Sequence, residues 1–196
     1  MRMIDLCCGR LGWSRAFLDR DWECVGVDIV APPSIPAGFT FKLDNILNYQ
    51  PHHLRHFDFV CVSTPCEQFS VHGMKHFQVN PPYPHLGIEL FNHARSICEA
   101  SGVPYVMENV RAAQYFVGHA VHHCGSFHLW GNAVPPLMPQ GITKSKWKPK
   151  EGRPGNWSAS FTGTKSVRKT TMATIPPELA GCVADYAAVL ISGVPA

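Results

Sequence analysis

Short apolar runs alternate with amphipathic segments along the first two thirds of the chain. Five of these runs are apolar almost throughout and are flanked by polar or glycine residues. They predict buried strands of a parallel sheet at residues 3–8, 24–30, 39–43, 57–62 and 105–110. Two segments between them have helical periodicity, at residues 13–20 and 85–101. This alternation predicts an α/β fold with helices on both faces of the sheet.

The second predicted helix places five side chains on one face: Leu86, Leu90, His93, Ala94 and Ile97. Residues 125–131 predict a further strand, and residues 176–191 a closing helix that begins at prolines. Between residues 135 and 168, proline, glycine and lysine dominate and the periodicity disappears. We expect a single domain over residues 1–196, in which residues 131–175 form a basic insertion rich in proline, glycine and lysine.

Charge is distributed unevenly along the chain. The formal net charge is +3, but residues 131–175 hold one acidic residue and eight basic ones, which are Lys144, Lys146, Lys148, Lys150, Arg153, Lys165, Arg168 and Lys169. Trp147, Trp157 and Phe161 lie among them. Basic and aromatic residues together favour contact with the phosphates and bases of a nucleic acid. A solvated surface loop explains the same charge equally well.

The eight cysteines lie mostly within apolar runs, which favours reduced thiols of a cytoplasmic protein over disulfides. Cys7-Cys8 and the run of residues 122–124, His-His-Cys, raise the question of a zinc site. Adjacent ligands do not form the usual spaced pair, so we predict no metal. No apolar run approaches the roughly 18 residues of a membrane span, and the chain runs from Met1 directly into a predicted strand. We therefore expect no leader peptide and no membrane partner.

Polar and reactive residues stand where the predicted strands end. Because open parallel sheets bind ligands beyond the carboxyl ends of their strands, this edge is the expected site. The residues concerned are Asp5 with the turn of residues 7–12, Asp28, Asp44, Cys66 and Glu108.

Each cofactor-type residue has a structural alternative. Gly9 and Gly12 would let the backbone approach a ligand, although tight turns need glycine anyway. Asp28 is placed to accept both hydroxyls of a ribose, or else to cap the next segment. Asp44 or Asn45 would hydrogen-bond an adenine amino group, or serve only as turn residues.

Cys66 follows Pro65 at the end of a buried run. A thiol near helix N-termini is a good nucleophile once it is deprotonated. Glu108 ends the next predicted strand, where a carboxyl group with a raised pKa would act as a general acid.

Four motifs in order resemble those of the DNA (cytosine-5) methyltransferases, which use S-adenosylmethionine. DLCCGRLGW is similar to the cofactor motif D-L-F-x-G-x-G-G-F, VGVDI to the acidic second strand, STPCEQFS to the P-C-Q-x-F-S nucleophile motif and MENV to E-N-V. HLGIELFNHARSI and IPPELAGCVADYAAVL resemble two of the family's helices. The likeness covers about residues 3–130 and the last twenty or so, as in a compact phage-like or orphan member.

The resemblance implies a Rossmann-like sheet of the class I methyltransferases, a catalytic domain and an S-adenosylmethionine pocket. Its cofactor residues would be Asp5, Cys7, Gly9, Leu11, Gly12, Trp13, Asp28, Ile29, Asp44, Asn45 and Pro65.

The resemblance also implies a covalent mechanism on a cytosine flipped out of duplex DNA. Cys66, presented by Pro65, would attack C6 while Glu108 supports N3 and Asn109 holds the loop. The segment of residues 67–84, with Ser70, would close over the base. The DNA-binding residues would be Arg111, Lys144, Lys146, Lys148, Arg153, Lys165, Arg168 and Lys169.

Three departures from the family stand out. No arginine occurs in CGSFHLWG, where the family carries Q-x-R-x-R, so Arg111 or an arginine of the basic segment would have to substitute. Only about 40 residues replace the family's recognition domain, which predicts short or relaxed specificity and leaves room for a separate recognition subunit. GNAVPP, at residues 131–136, resembles a late cofactor element but is followed by PLMPQG rather than a helix, so we assign it no such role.

Other functions are open from the sequence. NPPY, at residues 80–83, occurs in amino-group methyltransferases, but here it lies in a polar loop and not at a strand end. Methylation of cytosine in RNA or in a free nucleotide would need no reading of a duplex. A non-catalytic or partner-dependent nucleic-acid-binding subunit would account for the missing arginines.

Overall fold

Parallel strands form the centre of a seven-stranded sheet in the computed structural model, which describes residues 1–66, 69, 84–139 and 174–193. The five central strands are β1 (Arg2–Leu6), β2 (Glu23–Asp28), β3 (Phe39–Leu43), β4 (Phe59–Val62) and β5 (Tyr105–Val110). β1 lies between β2 and β4, β3 extends one side and β5 the other, and every pair is parallel. All five carboxyl ends therefore meet at one edge, as predicted.

A hairpin completes the sheet beside β5. Its strands are β6 (His122–Cys124) and β7 (Phe127–Trp130), and β7 is antiparallel to both β5 and β6. The resulting order is β3-β2-β1-β4-β5-β7-β6. The usual dinucleotide-binding sheet, in the order 3-2-1-4-5-6, carries no antiparallel strand at this place. The chain thus has a Rossmann-like α/β fold with an antiparallel strand inserted next to β5.

Helices cover both faces, which confirms the predicted fold class. α1 (Gly12–Leu18) and α5 (Pro177–Ser192) pack on one face, over Met3, Cys61 and Val106. The other face carries α2 (Pro51–Leu54), α3 (Pro84–Ser101) and α4 (Gln114–Val117). Short 3-10 turns follow β3 and β5, at Ile46–Asn48 and Arg111–Ala113.

The buried strands were predicted well because residues covered on both faces are apolar at nearly every position. β5 has the predicted bounds, and α1, α3 and α5 differ from their predicted bounds by two residues or fewer. On α3, Ala94 and Ile97 are buried, and His93 Nε2 lies 3.0 Å from the carbonyl oxygen of Ile46. Leu90 is partly buried, and the side chain of Leu86 is outside the described ones.

Four predicted strands have other bounds in the structure, and one of them is β7, which covers Phe127–Trp130 and not residues 125–131. The first strand ends at Leu6 because Cys7 turns the chain with a φ of 61°. The second ends at Asp28, whose side chain accepts a hydrogen bond from the backbone N–H of Val30. The fourth begins at Phe59, two residues later than predicted. β6, α2 and α4 were not predicted, since elements of three or four residues are too short to show a period.

Several predicted features lie outside the described residues. They are the closing loop with Ser70, the NPPY sequence and the basic residues Lys144 to Lys169. Among the described helices, none combines the length and the apolar character needed to cross a membrane. The GNAVPP segment packs at the amino end of β5, where Asn132 Oδ1 accepts a hydrogen bond from the backbone N–H of Tyr105.

Candidate active site at the carboxyl edge of the sheet

The turn between β1 and α1 is wound tightly by left-handed residues. Cys7, Gly9 and Leu11 have φ values of 61°, 48° and 64°. Two of these residues carry side chains, and a left-handed conformation is unfavourable for any residue with a Cβ. The strain is opposed by hydrogen bonds from the N–H of Cys8 to the carbonyl of Val27 and from the N–H of Leu11 to the carbonyl of Cys8, at 3.1 and 2.7 Å. Backbone strain of this kind is concentrated at ligand-binding turns in proteins.

The two glycines of this turn, Gly9 and Gly12, differ in the space around their backbone. A Cβ on Gly9 would meet nothing closer than the carbonyl oxygen of Cys7, at 3.9 Å, so its backbone is open to a ligand. A Cβ on Gly12 would lie 2.8 Å from the backbone nitrogen of Ile175. Gly12 is therefore required by the close approach of the segment that leads into α5, and only Gly9 has the open position that the sequence offered for both.

Asp28 and Asp44 hold the backbone at the next two strand ends. The carboxylate of Asp28 accepts hydrogen bonds from the N–H of Gly9 at 2.9 Å and of Val30 at 3.0 Å. Asp44 accepts from the N–H of Asn45 and from Asn48 Nδ2, both at 2.7 Å. These are the capping and turn roles named above as alternatives to ligand binding. Because each carboxylate oxygen has two lone pairs, a ribose contact by Asp28 remains compatible with them.

The remaining residues of the predicted cofactor edge differ in exposure. Asn45 Oδ1 caps the 3-10 turn by accepting from the N–H of Leu47 at 3.0 Å. Ile29 is 71% exposed, and Pro65 is also exposed. Leu11 is buried, so its side chain belongs to the core under the turn and not to an open pocket.

Asp5 is a buried carboxyl group beneath the first turn. Ser14 Oγ donates a hydrogen bond to Asp5 Oδ2 at 2.6 Å, whereas Asp5 Oδ1 has no hydrogen-bond partner. Burial raises the pKa of Asp5 to about 7, against the opposing effect of the Ser14 hydrogen bonds. A contribution of Asp5 to cofactor binding would therefore be indirect, through the shape of the turn.

Trp13 connects the first turn to the end of β4. Its indole is buried, and Nε1 donates a hydrogen bond to Ser63 Oγ at 2.8 Å. The N–H of Ser63 in turn donates to the carbonyl of Leu6 at 3.1 Å. The two turns at this edge thus share a fixed spacing.

The turn that carries Cys66 is held by β5. Asn109 is fully buried, and its Nδ2 donates to both the carbonyl oxygen and Oγ1 of Thr64, at 3.0 Å each. Asn109 Oδ1 accepts from the N–H of Val110 at 2.8 Å. The residue after Pro65, Cys66, is half-buried, and its carbonyl accepts from the N–H of Phe69 at 3.1 Å. These are contacts that the loop-holding role of Asn109 requires.

Glu108 lies at the same edge as Cys66. Val62 of β4 pairs with Met107 of β5 in parallel register, so the chain reaches Glu108 one residue beyond that pair. Glu108 is half-buried. Cys66, in the turn after β4, and Glu108, on β5, therefore stand at the carboxyl side of two neighbouring strands.

The other thiols are structural. Burial raises the pKa of Cys24 to about 12 and that of Cys61, Cys98, Cys7 and Cys8 well above the usual thiol range. A thiol that stays protonated is a poor nucleophile. Across the described parts of the chain, no three side chains of metal-binding type form a cluster.

Sequence reasoning missed the residues that support the site: Ser14, Ser63 and Thr64. Ser63 and Thr64 stand directly before the Pro-Cys pair, and their position at a strand end was the available signal. It considered His122 and His123 only as possible zinc ligands and missed His128, which pairs with Asn109 across β5 and β7.

No protein-family model matches the sequence, and no curated protein matches it significantly. Solved structures resemble about half of the chain. A mutant of DNMT2 from Spodoptera frugiperda is 18% identical over 58% of this chain and 37% of its own, with a TM-score of 0.38. The NAD-dependent NDP-hexosamine 5,6-dehydratase TunA is 21% identical over 54% and 36%, with a TM-score of 0.41. The antibiotic-resistance methyltransferase Kmr is 15% identical over 57% and 59%, with a TM-score of 0.31.

The matched segments cover less than two thirds of these three proteins. Both methyltransferases and an NAD-dependent enzyme are among them, so a likeness of this size says nothing about what the present chain binds.

Proposed function

We propose that this chain methylates C5 of cytosine in DNA, using S-adenosylmethionine and a covalent bond between Cys66 Sγ and C6 of the base. The observation that carries the proposal is the pair of hydrogen bonds from buried Asn109 to Thr64. They tie the Pro65–Cys66 turn to the strand that presents Glu108. A Pro-Cys turn and an E-N-V strand joined in this way are what the resemblance to cytosine-5 methyltransferases requires.

The first turn fits the proposed cofactor. Gly9 leaves open space next to a left-handed backbone, and Asp28 stands at the end of the neighbouring strand. Asp28 would accept the ribose hydroxyls while still holding the Gly9 N–H. Exposed Ile29 supplies an apolar surface for an adenine ring. Bound S-adenosylmethionine would supply an electrophilic methyl group for C5.

The residues of the Cys66 turn would perform the covalent steps. The Cys66 thiolate adds to C6, and the displaced electron pair makes C5 nucleophilic. Glu108, in its protonated form, donates to N3 and stabilises that electron pair. C5 would accept the methyl group with S-adenosylhomocysteine as the leaving group. A water molecule would then take the C5 proton, so that the double bond re-forms and Cys66 leaves as the thiolate.

Duplex DNA is the proposed substrate because of the basic insertion. Its seven proposed contact residues would neutralise phosphates, and Trp147 and Trp157 would stack on bases. A cytosine inside a duplex is out of reach of a strand-end thiol, so the base would have to be flipped out. The same chemistry on RNA needs no duplex reading and is the alternative that the experiment must separate.

Nucleoside mass spectrometry on DNA and RNA tests the proposal. The host lacks cytosine methylases of its own and expresses the wild type, Cys66→Ala or Cys182→Ala. Cys182 is a matched control because it is a half-buried cysteine on α5. We expect 5-methylcytosine in DNA from the wild type and Cys182→Ala, and none from Cys66→Ala. Product in RNA alone would contradict the DNA assignment, and product from Cys66→Ala would contradict the covalent mechanism.

A further inference from the structure

A cavity of about 480 Å³ opens beside the hairpin. Its polar lining comes from Arg111 and Gln114, after β5, and from His122, His123 and His128 of the hairpin. None of the described residues that line it is acidic. Three imidazoles and a guanidinium around one cavity are an unusual concentration of groups that can be positively charged.

The strand register places His128, which lines this cavity, beside Asn109. His128 pairs with Asn109 on one side and with His123 on the other, so the three side chains lie in one row across β5, β7 and β6. Paired residues of neighbouring strands project to the same face, and adjacent residues to opposite faces. Glu108 therefore projects to the face opposite His128. His128, which lines the cavity, is thus the strand neighbour of Asn109, which holds the Cys66 turn.

The imidazoles are arranged to contact a ligand together. The rings of His123 and His128 are stacked, with centroids 5.3 Å apart and planes inclined by 20°. His128 Nδ1 lies 3.4 Å from the carbonyl of Ser126, and Nδ1 must carry the proton there because a carbonyl only accepts. Among the described residues, these histidines belong to no group of three or more side chains that could hold a metal ion.

Basic side chains, and no acidic one among the described residues, line the cavity, which favours an anionic ligand. Arg111 and His123 are exposed, whereas His128 is only 7% exposed. Burial is the main cause that lowers the pKa of His128, and repulsion from His123 and Arg111 lowers it further. An anion among these groups would reverse that repulsion.

We propose that this cavity binds a phosphate group of the substrate nucleic acid, with Arg111 and His123 as direct contacts and His128 as the buried donor behind them. The proposal rests on the proposed function, since a nucleic-acid substrate provides the phosphate. It also gives a role to the hairpin, which stands where the related enzymes carry Q-x-R-x-R. A free phosphate compound has the same chemistry and is the other source to be tested.

Binding of a short fluorescein-labelled DNA duplex to the full chain, followed by anisotropy, measures the contact directly. We expect Arg111→Gln to weaken binding about tenfold and to reduce the slope of log Kd against log salt by about one. His123→Asn should weaken binding about threefold at about pH 6, where a protonated imidazole contributes most. His119→Asn is the matched control, because His119 is exposed on the connection between α4 and β6 but does not line the cavity.

The pH dependence distinguishes this role from a structural one. The groups that can titrate around His128 are His122 and His123 on β6, while Arg111 keeps its charge and Gln114 is neutral. A phosphate favours the protonated imidazoles, so binding takes up protons and affinity rises as pH falls from about 8 to about 6. The double variant His123→Asn/His128→Asn should lose most of this rise. Far-UV circular dichroism before each titration confirms that the variants are folded.

Inorganic phosphate and short RNA serve as competing probes, with the histidine ring resonances followed by NMR. Shifts of His123 and His128 with duplex or RNA support the proposal, whereas equal shifts at low inorganic phosphate assign the cavity to a free phosphate compound and overturn the nucleic-acid part. No shift with any probe overturns it altogether. If DNA is methylated by the wild type and equally by Arg111→Gln/His123→Asn, with the same Kd, the proposed function stands and this inference fails.

Discussion

The turn after β1 and the turn after β4 meet at one edge of the sheet but are stabilised in different ways. The first is enclosed by the core: Trp13 and Leu11 are buried, and Gly12 packs against Ile175. The second is exposed at Pro65, and its described contacts are hydrogen bonds: Asn109 binds Thr64, and Ser63 bonds to Trp13 and to the carbonyl of Leu6. Loss of a buried amide such as Asn109 leaves several hydrogen-bonding groups unsatisfied at once, whereas packing contacts are shared among many atoms. The proposed cofactor end is thus set by packing, and the proposed nucleophile end by hydrogen bonding.

The largest effect is expected from removal of the buried amide of Asn109. Asn109→Ala leaves the carbonyl and hydroxyl of Thr64 without their donor and the N–H of Val110 without its acceptor. Unsatisfied buried groups cost about 1–3 kcal/mol each, so we expect the free energy of unfolding to fall by about 3 kcal/mol. Displacement of Cys66 should lower methylation by at least about 100-fold. Urea unfolding and product formation measure the two effects.

The matched control is Asn48→Ala, which removes an amide donor to Asp44 at an exposed position. Solvent replaces that hydrogen bond, so the loss should stay below about 1 kcal/mol. Equal losses for the two variants would show that the turn after β4 does not depend on Asn109, and the comparison of the two turns would be wrong.

The second prediction concerns pH and the buried carboxyl group under the first turn. Burial raises the pKa of Asp5 to about 7, above its unfolded value near 3.8. The folded state therefore holds the proton to higher pH than the unfolded state. The stabilisation that the folded state gains by binding this proton is complete below about pH 4 and is lost as pH rises through 7. Between pH 5 and pH 7 the loss should be about 2 kcal/mol, from roughly 1.4 kcal/mol per unit of pKa difference.

Urea unfolding of the wild type and of Asp5→Asn across this range gives the test, since the variant cannot titrate at this position. Ser14→Ala sharpens it. Ser14 Oγ lowers the pKa of Asp5 by its hydrogen bond, and without it the loss should extend to higher pH. Parallel curves for the wild type and Asp5→Asn would mean that Asp5 is ionised throughout and that the turn tolerates a buried charge.

The sequence predicts most of the sheet and the edge where the site lies, because parallel strands buried on both faces leave an unbroken apolar signal. The apolar run of β4 and the six residues of β5 show this. β6 escaped prediction because its three residues, His122 to Cys124, look like metal ligands and are too few for a period. The residue types also indicate that Asp28 and Glu108 lie toward the ends of strands. They do not indicate which groups the two side chains contact.

The contacts that the sequence does not predict join segments that are far apart in the chain. Gly12 and Ile175 are far apart in the chain, and nothing local to either indicates that one packs on the other. The reach of Asn109 to Thr64 depends on β4 and β5 being neighbours, which only the assembled sheet decides. A resemblance can suggest such a contact, but the single sequence cannot derive it.

The third prediction separates the two glycines of the first turn. Gly12→Ala places a Cβ 2.8 Å from the backbone of Ile175, which cannot move as a flexible side chain can. We expect a loss of about 1–2 kcal/mol in unfolding free energy. Gly9→Ala makes only an ordinary contact with the carbonyl oxygen of Cys7, at 3.9 Å, and costs about 1 kcal/mol through its left-handed φ of 48°.

Binding of S-adenosylmethionine, measured by titration calorimetry, should rank the same two variants in the opposite order. Gly9→Ala narrows the open side of the turn, whereas Gly12→Ala acts on the packing behind it. If Gly12→Ala weakens cofactor binding more than Gly9→Ala at a temperature where both are folded, the open position has been assigned to the wrong glycine.

The smallest effect is expected at the ion pair that joins α1 to α5 behind the first turn. Arg20 donates to both carboxylate oxygens of Asp185, at 2.6 and 2.9 Å, and to the carbonyl of Ala16. The hydrogen bond from Arg20 lowers the pKa of Asp185, so this contribution is present above about pH 4 and is lost as pH falls below that value. Because Asp185 is 65% exposed, solvent screening limits the coupling to about 0.5–1 kcal/mol.

A double-mutant cycle with Arg20→Gln and Asp185→Asn isolates this coupling from the separate hydrogen bond to Ala16. We expect the coupling at about pH 7 and its progressive loss as pH falls below about 4, since the ion pair lowers the pKa of Asp185. A first turn supported by many small contacts predicts that methylation changes less than twofold in either single variant. A large loss of activity from a pair worth so little stability would mean that the position of α5 directly sets the cofactor turn. The turn after β1 would then also depend on a single contact, and the comparison of the two turns would be wrong.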